Sequence, residues 1–94
     1  MMGKDKRCFE GVSAVVWQRM QARGEREHGT VFEHTNAMQG TATTPTPVGP
    51  VVLGFEFEAD AERITYTIVQ KPFFAASSLI WGGIAAAIER CRNA

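Results

Sequence analysis

The chain predicts an α+β domain of order α-β-β-β-α, a three-stranded antiparallel sheet with both helices packed on one face. Three observations carry this expectation. Apolar residues recur at helical spacing near both ends of the chain. Residues 51–69 alternate at strand spacing and pair with one another in a single register. The 94 residues fall close to the about 100–150 that one hydrophobic core typically organises, so 1–94 is read as a single globular domain.

The first helix is expected between Arg7 and Arg26. Phe9, Val12, Val16 and Met20 follow at intervals of three and four and share one stripe, which Cys8 and Val15 widen. Trp17 lies at the margin of that stripe, and Gly24 is where the helix should weaken or stop. Thr30–Thr35 is rich in β-branched and aromatic residues, as a strand requires. From 37 to 50 the chain carries Gly40, Gly49, Pro45, Pro47 and Pro50, which predicts a flexible loop.

The hairpin that follows is the clearest local signal. With Asp60-Ala61 at its tip, Phe57 faces Ile64, Phe55 faces Tyr66 and Leu53 faces Ile68. The other side places Glu58 against Arg63, Glu56 against Thr65 and Val52 against Val69. A slip of one residue would scramble both faces. Pro72 ends the last strand because it has no N–H to donate.

The final helix is expected from Leu79 to about Arg92, with Ser77 or Ser78 as its cap. Ile80, Ile84, Ile88 and Cys91 form its core stripe, with Trp81 and Ala85 alongside. Leu79, Gly83, Ala86 and Arg90 form a neighbouring ridge of unusually small residues. A glycine inside a helix costs roughly 1 kcal/mol relative to alanine. Gly82-Gly83 therefore suggests close approach of a neighbour, most simply a bulky sheet residue such as Tyr66.

Composition narrows the function. Ten basic residues balance ten acidic ones, so no excess of positive charge exists to neutralise nucleic acid or an anionic membrane surface. No apolar run is long enough to span a bilayer, and no leader pattern follows Met1. The expected compartment is the cytoplasm, with Cys8 and Cys91 as reduced thiols.

Catalytic constellations are absent from the pattern. His28 reads as a solvated residue at a helix end, and His34 cannot be oriented by its strand neighbour Glu33, which points to the opposite face. Ser77 and Ser78 are explained by capping, and Cys8 by the apolar stripe despite Lys6 and Arg7 beside it. Glu56 and Glu58 share a sheet face without a cleft. No catalytic residue, metal site or cofactor is expected.

What is left is an excess of large apolar side chains. The leading expectation is a non-enzymatic protein acting through association, as a homodimer or with a protein partner, using Val52, Val69, Gly83 and Ala86. The competing expectation is a carrier or sensor of a small apolar ligand. Its pocket, between helices and sheet, would be lined by Trp17, Tyr66, Phe73, Phe74 and Trp81.

Overall fold

The computed structural model describes residues 5–72 and 76–93. Its elements are β1 (Lys6–Glu10), α1 (Ala14–His28), β2 (Val31–His34), β3 (Gln39–Thr44), β4 (Val51–Glu58), β5 (Arg63–Gln70) and α2 (Ser77–Arg92). The class is α+β, but the expected three-stranded sheet is wrong. Five strands form one antiparallel sheet in the order β1-β5-β4-β3-β2.

Two misread segments account for the extra strands. The expected helix from Arg7 begins instead as β1, which pairs Phe9 with Ile64 and Arg7 with Tyr66. Gly11 then turns the chain with φ of 71°, a left-handed conformation that glycine adopts without a Cβ clash. Val12 is wholly buried and its N–H donates to the Glu62 carbonyl at 2.7 Å. Only at Ser13 does the helix start: the Ser13 hydroxyl accepts from the Val16 N–H at 3.2 Å. α1 passes through Gly24 and ends at Gly29, whose φ of 65° and N–H bond to the Gly24 carbonyl close the last turn.

The second correction concerns the segment 37–50, expected as a flexible loop. Gln39–Thr44 is β3, paired on both sides, and only residues 45–50 are left as a connection. Gly40 makes this possible. A Cβ there would run into the Glu33 carbonyl and come within 2.9 Å of the Phe55 ring.

The β4–β5 hairpin pairs Phe57 with Ile64, Phe55 with Tyr66, Leu53 with Ile68 and Glu58 with Arg63. A bulge between Val52 and Leu53 breaks the register at its far end. Val52 therefore opposes Gln70 and not the expected Val69.

Both helices lie against the sheet face that carries Phe9, Ile64, Tyr66, Phe55, Phe57 and Phe32. Trp17 of α1 contacts Phe32, Phe55, Phe57 and Tyr66, with ring centroids 5.0–6.4 Å apart. Trp81 of α2 meets Phe9 at 6.2 Å beneath the Arg7 guanidinium.

α2 has no side-chain cap. It begins after Ala76, with Ser77 and Ser78 already inside its first turn, so the expected serine cap does not form. Its other end is tied down twice. Arg19 donates to the Cys91 carbonyl at 2.9 Å, which satisfies a helix-end group that would otherwise lack a partner, and Arg92 donates to the carbonyls of Glu10 and Gly11 at the end of β1. Among the described residues no helix is long and apolar enough to cross a membrane.

Candidate functional site

α1 and the face of α2 that follows Leu79 stand side by side above the sheet. They leave a groove of about 480 Å³. Its α1 wall is Trp17, Met20, Arg23, Gly24 and His28. Its floor is sheet: Phe32, Ala42, Leu53 and Tyr66, with Thr30, Thr44 and Val51 at one end. Its α2 wall includes Leu79, Gly83, Ala86 and Arg90, the whole of the small ridge read from the sequence.

That ridge explains the space. The expectation that Gly82-Gly83 admits a close neighbour is not met among the described residues, where nothing lies within 4 Å of where a Cβ would stand at either glycine. Tyr66 does not fill the gap. The volume over Gly83 is open, and an apolar wall of glycine and alanine faces it.

Polar groups in the groove are few. The Thr30 and Thr44 hydroxyls are hydrogen-bonded to each other at 2.8 Å. One of the two donates, so the other keeps a hydroxyl proton free to give. Tyr66 is only 4% exposed, yet its hydroxyl has no hydrogen-bond partner among the described residues. No fully buried side-chain polar atom there is left unpaired, so that hydroxyl holds the small exposure the residue keeps. Burial, and after it the Cys91 sulfur, pushes the Tyr66 phenol well above the ordinary tyrosine range. At neutral pH it is a donor.

The charged groups of the lining are all basic or imidazole. Arg23 is held by Glu27 at 3.2 Å. Arg90 makes no ion pair and no side-chain hydrogen bond among the described residues. No aspartate or glutamate lines the groove.

Comparison with protein-family models, curated proteins and solved structures returns no match. The site is therefore read from its own geometry.

The structure distributes the expected site residues unevenly. Trp17 and Tyr66 line the groove, whereas Trp81 is buried against Phe9 outside it. Phe73 and Phe74 lie outside the described residues. Gly83 and Ala86, expected at an interface, line the same groove as Trp17. Val52 and Val69 sit on the opposite, outer face of the sheet, where Val69 packs over Gly54. Sequence reasoning missed Arg23, His28, Thr30, Thr44, Phe32 and Leu53 as lining residues. For Arg90 the signal existed, in its place on the small ridge.

The side chains considered for chemistry are dispersed. His34 bonds Gln21 at 3.2 Å and sits edge-on to Phe55. Cys8, expected on a helical stripe, is exposed on β1, with Thr65 opposite. Glu56 accepts from Gln39, and Glu58 pairs with Arg63 at 2.9 Å. Among the described residues no three His, Cys, Asp or Glu side chains converge as metal ligands.

Proposed function

We propose that the protein binds a small, largely apolar molecule in the groove between α1, α2 and the sheet, as a carrier or sensor. The observation that carries this reading is the open volume over Gly83, floored by a buried tyrosine whose hydroxyl has no partner among the described residues. A helical glycine costs roughly 1 kcal/mol relative to alanine, and among the described residues no neighbouring side chain uses the room that Gly83 leaves in the groove. About 480 Å³ lies within the range of about 300–1,000 Å³ usual for small-molecule sites.

The test is a screen of lipids and aromatic metabolites by Trp17 fluorescence in a Trp81→Phe background, with NMR shifts to map the contact. Shifts confined to Trp17, Phe32, Leu53 and Gly83, abolished by Gly83→Leu, are expected. Absence of any shift in these residues across the screen would remove the reading.

Association is the second reading, favoured by apolar exposure on the outer sheet face. Val31 and Val69 are 56% and 48% exposed there, at the end that also carries Val52. A strict monomer by sedimentation equilibrium at high micromolar concentration would exclude its homodimer form.

A further inference from the structure

This inference rests on the groove being a binding site and specifies the chemistry of its occupant. We infer that the occupant is an apolar molecule ending in a carboxylate, whose charge pairs with Arg90.

An apolar ligand of no particular charge needs only the floor and the two apolar walls. Here α1 contributes Arg23 and His28, α2 contributes Arg90, and no acidic residue contributes at all. The chain as a whole carries equal numbers of acidic and basic residues, so a lining without an acid does not simply follow the overall balance.

The two arginines differ in what already holds them. Arg23 pairs with Glu27 at 3.2 Å, a carboxylate that Arg26 also approaches at 3.7 Å. The nearest acid in sequence to Arg90 is Glu89, and that carboxylate is taken by Arg92 at 3.0 Å. Arg90 is thus a guanidinium at the edge of an apolar groove with no anion assigned to it among the described residues. Its planar fork matches two oxygens of one carboxylate.

The experiment compares octanoate with methyl octanoate, which share the apolar body and differ in the charge. Octyl phosphate and octylamine are the further arms. Binding is followed through Trp17 in the Trp81→Phe protein and through the Gly83 amide shift. Octanoate is expected to bind about tenfold tighter than its ester, the factor that one charge-assisted hydrogen bond supplies in partly solvated surroundings. Arg90→Gln should bring octanoate to the level of the ester and leave the ester unchanged, while Arg90→Lys keeps part of the preference. Arg90 is exposed on α2, so these variants should fold, which thermal melts would verify.

Equal binding of octanoate and ester, or a preference that survives Arg90→Gln, would overturn the inference and leave the groove reading standing. Tighter binding of octyl phosphate than of octanoate, or any preference for octylamine, would overturn the carboxylate class. Failure of every probe to move Trp17 or Gly83 would count against the groove itself.

Discussion

Trp17 and Phe55 stand 5.0 Å apart, ring centre to ring centre, and this pair joins α1 to the middle strand of the sheet. Phe57 stacks on the same indole at 6.0 Å with planes 27° apart. Trp17→Ala should therefore cost about 3–5 kcal/mol, through lost burial and the cavity left behind. Urea denaturation of the two proteins would check this. A cost under about 1 kcal/mol would mean that Trp17 does not anchor the helix.

The glycines should divide by location. Gly40→Ala forces a Cβ onto the Glu33 carbonyl and the Phe55 ring, and backbone cannot step aside as a flexible side chain can. A loss of about 1–3 kcal/mol or more is expected. Gly82→Ala meets open space inside a helix, so it should stabilise by roughly 0.5–1 kcal/mol. On a domain of this size that raises the thermal midpoint by several degrees, at roughly 4–8 °C per kcal/mol.

Tyr66 is the only tyrosine, so the ultraviolet absorbance of tyrosinate reports it alone. Its phenol is raised in the folded state by burial. The stability linked to it is complete below the ordinary tyrosine pKa and is lost as pH rises above that value, by up to about 1.4 kcal/mol per pH unit. Ionisation should coincide with alkaline unfolding, and Tyr66→Phe should flatten that limb. At neutral pH the same substitution removes no hydrogen bond among the described residues, so stability should stay within roughly 0.5 kcal/mol of wild type.

The two thiols should react in sequence. Cys8 is exposed on the outer face of β1, while Cys91 is 2% exposed on the helix side of the sheet. A maleimide should label one thiol in the native protein and the second only on unfolding. Because the sheet lies between them, no bond within one chain can join them, and reductant should leave the thermal midpoint unchanged. Peptide mapping that found a Cys8–Cys91 crosslink would contradict the strand order.

The hairpin was readable because its evidence is local. Each apolar residue from Leu53 to Ile68 has its partner a few positions away, and only one register sorts them. β1 was not, because Phe9, Val12 and Val16 keep helical spacing by coincidence across a strand, a turn and a helix. The correcting signals were Gly11 and Ser13, a turn residue followed by a cap. β3 was hidden because Gly40 and the proline and glycine residues from 45 to 50 outweighed the strand preference of Thr41, Thr43 and Thr44; β2 and β4 flank the segment and pair with it. The same division holds for the groove. Its α2 wall follows from the spacing of Leu79, Gly83, Ala86 and Arg90, whereas His28, Thr30 and Thr44 join it only through the path of α1 across the sheet.

The pairing of β1 with β5 also sets an order of assembly. Phe9 and Ile64 are neighbours in the sheet although 55 residues separate them along the chain, whereas β2 to β5 each pair with the strand next in sequence. Closing the longer loop has the larger entropic cost, so the four-stranded meander should form the nucleus and β1 should add late. In kinetic terms, Phe9→Ala should speed unfolding and leave the refolding rate nearly unchanged, while Phe55→Ala should slow refolding. The edge that β1 occupies is thus the last to be sealed, and until then β5 offers its unpaired N–H and carbonyl groups to any other extended chain within reach.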